Sequence, residues 1–174
     1  MNNPDSSGVF IREAAVSDAV LLEQLARQIW MPHYTPIIGY AQVDYMLNQF
    51  QSESAIRSDI ENGYIYDIAF LGGAACGYSA VRDDGSTHFL SKLYVRENYR
   101  GQGIARALVS RAARRAGATG ASHIRLTCNK NNAGSLAAYT HLGFTIAGDC
   151  VTPIGAGFEM DDYILEKAVL PDGN

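Results

Sequence analysis

The segment from Leu93 to Ala105 constrains the fold of this chain more than any other stretch of the sequence. Leu93-Tyr94-Val95 is apolar enough to end a β-strand, and Arg100-Gly101-Gln102-Gly103-Ile104-Ala105 opens a run with helical periodicity. The first backbone N–H groups of a helix have no intrahelical partner and carry the positive end of the helix dipole. Glycines there let an anion approach the main chain closely. The segment therefore predicts a phosphate-binding turn between a strand and a helix.

Two other phosphate-binding motifs do not fit this turn. A Walker loop requires Lys-Ser or Lys-Thr after its last glycine, where this chain has Ile104-Ala105. A dinucleotide fingerprint requires three spaced glycines and an acidic residue about twenty positions later, and neither is present. On these residues alone, a plain glycine turn before an ordinary helix stays open as the alternative.

Turn residues divide the rest of the chain into short elements. Gly72-Gly73 and Asp83-Asp84-Gly85 separate three strands, which is typical of an antiparallel meander. The predicted strands are residues 9–14, 64–71, 74–82, Thr87–Val95, 123–128, 144–151 and 158–169. Five helices are predicted. One begins at Ser17, one follows Gly103, and the other three run over residues 42–50, 52–61 and 135–141. Pro32 and Pro36 predict an irregular aromatic stretch between residues 30 and 45.

Composition limits the classes of protein that this chain can represent. With 174 residues, 47% hydrophobic and 18% charged, we expect a single globular domain over residues 1–174, with residues 1–8 disordered. A net charge of −4 and the absence of a long apolar run predict neither a nucleic-acid nor a membrane partner. The three cysteines lack metal-ligand spacing, so no metal is expected. Without a signal-peptide pattern, the expected location is the cytoplasm.

A second polar pattern follows the strand predicted at residues 123–128. Asn129, Asn132, Ser135 and Tyr139 precede Gly143-Phe144, and the seven positions from Asn132 to Tyr139 make two helical turns. Both side chains should therefore lie on one side of a short helix. Turn and cap chemistry for the asparagines, and a half-buried helix position for the tyrosine, are the simpler alternatives for each residue alone.

The Arg-x-x-Gly-x-Ala turn after Leu-Tyr-Val, followed by the asparagine-to-tyrosine string, resembles the two cofactor motifs of the GNAT acetyltransferases. The resemblance is detailed over residues 90–144, and the order of elements fits loosely over most of the chain. It implies a mixed α/β fold with a central, largely antiparallel sheet of six to seven strands flanked by helices. It also implies an acetyl-CoA-dependent N-acetyltransferase that moves the acetyl group directly onto a primary amine in a ternary complex.

The resemblance assigns roles to individual residues. Tyr139 is expected to be the catalytic acid that protonates the leaving thiolate, because a phenol stays protonated at neutral pH. A backbone N–H at the end of the first-motif strand is expected to polarise the thioester carbonyl. Acetyl-CoA is expected to contact, largely through the main chain, Leu93, Tyr94, Val95, Arg100, Gly101, Gln102, Gly103, Ile104, Ala105, Asn132, Ser135 and Tyr139.

The acceptor side carries fewer signals. The strand before the first motif, where many family members place a glutamate, has no carboxylate here, so the base is unassigned; His88 and residues 159–163 are the candidates. Tyr34 and Tyr40, expected in a loop, and the pair Asp161 and Asp162 are predicted to hold a cationic amine. A solvated strand end is the simpler alternative for the aspartates. The layout is similar to bacterial polyamine acetyltransferases of the spermidine/spermine type.

Two rival functions remain open from the sequence. The acceptor can be a peptide or protein amine instead of a small molecule, and the chain can be an acetyl-CoA-binding sensor without turnover. The oligomeric state is also open: a homodimer is compatible with the resemblance, and no residue pattern marks an interface.

Overall fold

The computed structural model describes residues 8–170 of the chain. Of residues 1–8, for which disorder is predicted, residues 1–7 lie outside the described part and Gly8 lies inside it. The strands are β1 (Val9–Glu13), β2 (Ile65–Leu71), β3 (Ala74–Asp83), β4 (Thr87–Val95), β5 (His123–Asn129), β6 (Thr145–Gly155) and β7 (Phe158–Ala168). The helices are α1 (Ala19–Ile38), α2 (Tyr40–Phe50), α3 (Glu53–Glu61), α4 (Ile104–Ala118) and α5 (Ala133–His141), with short 3-10 turns at Val16–Asp18 and Glu97–Tyr99.

The seven strands form one sheet in the order β1-β2-β3-β4-β5-β7-β6. β4 and β5 pair in parallel, with Thr87 opposite His123 and Phe89 opposite Arg125. The pairs β1–β2, β2–β3, β5–β7 and β6–β7 are antiparallel. The predicted mixed α/β class with a largely antiparallel sheet flanked by helices is confirmed.

The chain divides into two compact units. One contains the described residues up to 82 together with 92–110, and the other contains residues 83–91 together with the described residues from 111 to 170. Strand β4 and helix α4 each contribute residues to both units. The single domain expected from the sequence therefore stays a prediction.

The first unit packs α1 against α2 and α3 and pairs β1, β2 and β3. Its core side chains are almost fully buried and include Leu22, Leu25, Leu47, Ile56, Tyr66, Ile68 and Tyr78. Ser52 caps α3 by accepting a hydrogen bond from the Ala55 N–H at 3.3 Å, which fits its position before the helical run.

The irregular stretch predicted between residues 30 and 45 is wrong. Helix α1 continues through Pro32 and Pro36 to Ile38, and α2 begins two residues later at Tyr40. Proline disfavours a helix interior by removing an N–H donor, but burial of Ile29 and Trp30 (4% exposed each) holds α1 against its neighbours. Packing has overridden the local preference of the prolines.

The second unit is built on β5, β7 and β6. Alternate β5 residues Ile124, Leu126 and Cys128 are buried, as the period of two in a strand requires, and Leu165 and Phe144 join them. Lys167 on β7 donates from Nζ to the Leu142 carbonyl at 2.7 Å, so a cation supports the C-terminal end of α5. Among the residues that the structure describes, no helix is both long and apolar enough to cross a bilayer.

Candidate functional site

The turn between β4 and α4 has the geometry that its glycines predict. Gly101 and Gly103 have φ of +74° and +80°, a region that L side chains rarely adopt. Both glycines and Gln102 are exposed, whereas Ile104 is 1% exposed and anchors the first turn of α4. Arg100 donates from Nε to the Val95 carbonyl at 3.4 Å. The turn that leads into α4 is therefore exposed and lacks a Cβ at Gly101 and Gly103, so an anion can approach the main chain at the start of the helix.

The end of β4 is closely supported by β3. A Cβ added to Gly77 would lie 2.7 Å from the Tyr94 carbonyl oxygen and 3.3 Å from the Val95 Cγ2. The Arg96 N–H donates to the Cys76 carbonyl at 2.8 Å. Gly77 thus sets how closely β3 approaches the first-motif strand. Sequence reasoning missed this residue, although a glycine inside a predicted strand marks a close backbone approach.

Tyr94 belongs to an aromatic cluster that also contains Trp30, Tyr34 and Tyr78. The Tyr94 ring centroid lies 5.4 Å from that of Trp30, 6.4 Å from that of Tyr34 and 5.4 Å from that of Tyr78. Burial, with a smaller contribution from Tyr34, raises the pKa of Tyr78 well above its ordinary value, and the Tyr78 hydroxyl donates to Gln51 Oε1 at 3.0 Å. The cluster therefore fixes the Tyr94 side chain on the first-motif strand.

The two tyrosines expected in an acceptor loop lie on helices instead. Tyr34 is on α1 inside the aromatic cluster, with its ring centroid 4.5 Å from that of Trp30. Tyr40 is the first residue of α2 and is 60% exposed. The structure brings Tyr34 to the first-motif strand and leaves Tyr40 at the surface.

The second motif forms a capped turn leading into α5. The Asn129 carboxamide oxygen accepts from the Asn131 N–H at 2.9 Å, and the Asn132 oxygen accepts from the Ser135 N–H at 3.3 Å. Asn132 is the N-cap of α5 and is only 2% exposed. The alternative of turn and cap chemistry is thus realised in the structure, and it fixes the motif's geometry.

Tyr139 projects from α5 with its ring half-buried. Its centroid lies 6.0 Å from that of Phe144 at an interplanar angle of 66°, an edge-to-face contact. Phe144 is 1% exposed and donates its N–H to the Tyr139 carbonyl at 3.0 Å. The aromatic contact orients the Tyr139 ring in the second unit.

The two aspartates predicted as a pair point to opposite faces of β7, because successive residues of a strand alternate. Asp161 is ion-paired through Oδ1 to Lys130 Nζ at 2.8 Å. Asp162 is 2% exposed, and its Oδ1 has no hydrogen-bond partner among the described residues. Burial is the main cause that raises the pKa of Asp162 to about 6.

The cysteine nearest these residues is not a nucleophile. Burial, followed by the charge of Asp162, raises the pKa of Cys128 to about 12, so its thiol is protonated at neutral pH. The structure places the Cys128 side chain in the core at 6% exposed, on the face of β5 that also buries Ile124 and Leu126.

His88, a candidate base from the sequence, lies at the start of β4. Its Nε2 is 2.8 Å from Thr119 Oγ1 and 3.5 Å from Asp83 Oδ1, and the side chain is buried. His88 precedes Val95 by seven positions on β4, and its side-chain partners Thr119 and Asp83 both belong to the second unit.

Sequence reasoning also missed a buried cation on β4. Lys92 is 8% exposed and its Nζ lies 2.9 Å from Asp59 Oδ2, 5.2 Å from the Tyr66 ring centroid and 5.9 Å from that of Tyr64. Burial lowers the pKa of Lys92, and Asp59 opposes that shift. Within residues 8–170, no group of three or more His, Cys, Asp or Glu side chains is arranged to hold a metal ion.

The seven-stranded, largely antiparallel sheet flanked by helices is shared with solved N-acetyltransferase structures. The profile of the Acetyltransferase (GNAT) family matches residues 24–144, which is more than half of the chain. The protein therefore belongs to the GNAT acetyltransferase family.

Similarity to individual proteins is lower. An uncharacterized N-acetyltransferase of Mycobacterium tuberculosis (strain ATCC 25618 / H37Rv) is 32% identical over 99 residues, 56% of this chain and 63% of that protein. The chain thus spans less than two thirds of the curated relatives it matches.

Two solved structures share the fold. The PaiA N-acetyltransferase of Thermoplasma acidophilum, in complex with coenzyme A, has a TM-score of 0.78 at 20% identity and covers 92% of this chain and 98% of that one. YncA of Salmonella typhimurium, a putative acetyltransferase with its cofactor acetyl-CoA, has a TM-score of 0.61 at 20% identity, covering 96% and 99%.

Proposed function

We propose that the protein is an acetyl-CoA-dependent N-acetyltransferase that moves the acetyl group directly onto a primary amine. The observation that carries this proposal is the exposed turn with left-handed Gly101 and Gly103 at the start of α4, in a chain of the GNAT family. The N-terminal amides of α4 suit the pyrophosphate of acetyl-CoA because they offer unpaired donors and the positive end of the helix dipole.

The cofactor residues act in two ways. Residues 93–95 and 100–105 are proposed to bind through the main chain, which agrees with the exposed glycines at positions 101 and 103 of the turn. Asn132, Ser135 and Tyr139 are proposed to bind through the second motif, whose N-cap geometry is fixed by the Asn132–Ser135 hydrogen bond. The coenzyme A and acetyl-CoA bound to the two solved GNAT structures support acetyl-CoA as the co-substrate.

Tyr139 is proposed to donate the proton that the leaving thiolate takes up. Its ring is held by Phe144 at the N-terminal side of β6, and a phenol is protonated at neutral pH. Direct transfer is favoured over an acyl-enzyme because Cys128 is buried and its pKa is raised to about 12.

The acceptor is proposed to be a cationic amine, with polyamines as the first candidates. Asp162 supplies a buried carboxylate, and Tyr34 lies in an aromatic cluster whose faces attract alkylammonium groups. Tyr40 and Asp161 stay in the proposal as peripheral contacts, since the first is 60% exposed and the second is ion-paired to Lys130.

The test is a thiol-release assay with acetyl-CoA and a panel of spermidine, spermine, lysine, an aminoglycoside and a short peptide. Release with one class identifies both the activity and the acceptor class. Silence across the panel, with a thermal shift on adding acetyl-CoA, would favour a protein acceptor or a sensor. Absence of any acetyl-CoA binding contradicts the proposal.

Tyr139→Phe tests the catalytic acid. We expect turnover to fall about 100-fold while acetyl-CoA affinity stays within a factor of about two, because only proton donation is lost. Tyr64→Phe is the matched control, since it removes a phenol that accepts a hydrogen bond from Arg82 and has no proposed role in the reaction. Unchanged turnover of Tyr139→Phe at every pH would remove Tyr139 from this role.

Cytoplasmic location and a single domain are proposed as well. The free thiols of Cys76, Cys128 and Cys150 support a reducing compartment. Cooperative unfolding followed by two spectroscopic probes tests the single domain, and size-exclusion chromatography with light scattering tests for a homodimer.

A further inference from the structure

Asp162 occupies the central strand of three at one end of the second unit. The β5–β7 register sets it opposite Asn129, the first residue of the second motif, and the β6–β7 register sets it opposite Cys150. Directly opposed residues of neighbouring strands have their side chains on the same face. The fold therefore brings a carboxylate beside the turn that leads through Asn132 into α5.

The Asp162 carboxylate is buried, and one of its two oxygens has no hydrogen-bond partner among the described residues. The Thr127 hydroxyl hydrogen-bonds to it from β5, but Oδ1 has no partner among the described residues and the side chain is only 2% exposed. A buried carboxylate oxygen without a partner costs free energy, so its retention calls for an explanation. An oxygen that is kept free can accept a proton or a hydrogen bond from a bound molecule.

Burial makes Asp162 a weaker acid, and the groups around it act in both directions. Burial is the largest cause that raises its pKa to about 6, and Asp161 on the same strand adds to the shift. The Thr127 hydroxyl of β5 and the Lys130 ammonium that follows β5 oppose it. The thiol of Cys128 also feels the Asp162 charge, but its own pKa is raised to about 12. At neutral pH Asp162 is therefore mostly ionised. Its pKa of about 6 lies near neutral pH, which is the range that general-base catalysis favours.

We propose that Asp162 is the general base that accepts the proton of the acceptor ammonium. This inference rests on the proposed acetyltransferase function, and it assigns a group that β4 does not supply, since residues 88–95 contain no carboxylate. His88 is buried and hydrogen-bonded to Thr119, and it is not the group proposed here.

The proton balance of the reaction is complete with this assignment. R–NH₃⁺ gives one proton to the Asp162 carboxylate, and the resulting amine attacks the thioester carbonyl to form the N–C bond. The C–S bond breaks with its electron pair on sulfur, and the thiolate takes a proton from Tyr139. Tyr139 recovers a proton from the acylated nitrogen, and Asp162 releases its proton to solvent.

The experiment compares the wild-type protein with Asp162→Asn and Glu166→Gln. Glu166 is the matched control because it lies on the same face of β7 and is ion-paired to Arg125, with Arg125 Nε 2.9 Å from Glu166 Oε1. The readouts are kcat/KM against pH for acetyl-CoA with the fastest amine of the panel above, a thermal shift on adding coenzyme A, and the carboxyl ¹³C NMR titration of Asp162.

We expect kcat/KM of the wild-type protein to fall as the pH drops through about 6, the value to which the Asp162 pKa is raised. In the Asp162→Asn variant, kcat/KM at neutral pH should be about 100-fold lower, and its fall near pH 6 should be absent. Coenzyme A should still raise the melting temperature of this variant. The Glu166→Gln variant should keep both the wild-type kcat/KM and its fall near pH 6.

Three results overturn the inference in distinguishable ways. Wild-type protein that acetylates no amine would remove the proposed function and this assignment with it. If the wild-type protein is active and the Asp162→Asn variant keeps both its kcat/KM and the fall near pH 6, the proposed function stands and only the assignment of Asp162 as the base is refuted. A carboxyl titration of Asp162 at the ordinary aspartate value would do the same without reference to activity.

Discussion

Lys92 and Asp162 are both buried charges on strands of the sheet, yet their surroundings differ. The Lys92 ammonium contacts Asp59 at 2.9 Å and faces the Tyr64 and Tyr66 rings. The Asp162 carboxylate keeps Oδ1 without a partner among the described residues. Burial weakens the charged form of each group, lowering the pKa of Lys92 and raising that of Asp162.

The difference separates a structural charge from a proposed functional one. A buried charge that serves the fold is surrounded by partners, because an unpaired charge or polar atom is costly. A group kept under-satisfied costs stability and is explained by what it does with a ligand. The two surroundings therefore predict opposite effects when the charge is removed.

The largest effect is expected where the paired charge is broken. Asp59→Asn keeps an oxygen acceptor for the Tyr66 hydroxyl, now 2.6 Å from Asp59 Oδ2, but leaves the Lys92 ammonium without a counter-ion. We expect the free energy of unfolding to fall by about 3 kcal/mol, measured by urea denaturation at neutral pH. Glu53→Gln breaks the exposed Glu53–Arg57 ion pair at the start of α3, the helix that also carries Asp59, and it should cost under about 0.5 kcal/mol. Equal losses would contradict the distinction.

Asp162→Asn should stabilise the protein while it lowers activity. Raising the pKa of Asp162 from 3.8 to about 6 means that the folded state binds the proton more tightly than the unfolded state. That contribution is complete below 3.8 and is lost as the pH rises through about 6, so ionised Asp162 destabilises the fold at neutral pH.

The expected gain of Asp162→Asn at neutral pH is about 2 to 3 kcal/mol. It should shrink towards zero as the pH falls below the ordinary aspartate value, which chemical denaturation at several pH values can follow. A variant less stable than the wild-type protein at neutral pH would show that Asp162 serves the fold as Lys92 does.

Gly77→Ala tests how fully the region around the first motif is packed. The added Cβ would meet the Tyr94 carbonyl oxygen at 2.7 Å, and a backbone atom cannot move aside as a flexible side chain can. We expect a loss of about 1 to 2 kcal/mol in the free energy of unfolding and weaker acetyl-CoA binding by calorimetry. Unchanged affinity would mean that residues 93–95 do not bind the cofactor through their main chain.

Gly134→Ala is the corresponding change in the second unit, and the smallest effect. Apart from its chain neighbours and the nearby backbone of α5 itself, no described heavy atom lies within 4 Å of a Cβ added at Gly134, which is inside α5. Alanine should stabilise the helix by about 0.5 to 1 kcal/mol, seen as a higher melting temperature. A lower melting temperature would contradict the open space beside Gly134.

Local patterns predicted most of the elements and both motifs. Strand β4 has the predicted bounds, Thr87–Val95, and Gly101 and Gly103 have the left-handed backbone that a turn before a helix requires. The helical course of residues 30–45 was not predicted, since two prolines signal a break and the compensating burial of Trp30 is a tertiary effect.

The sequence by itself determined the family, because strand, glycine turn, helix and the asparagine-to-tyrosine string are local features read along the chain. It also placed Asp161 and Asp162 side by side, and alternation along a strand separates them onto two faces. Only the tertiary structure decided that Asp161 pairs with Lys130 while Asp162 is buried beside Asn129. Burial and pairing depend on strand register and packing between residues distant in the chain, which no local pattern encodes.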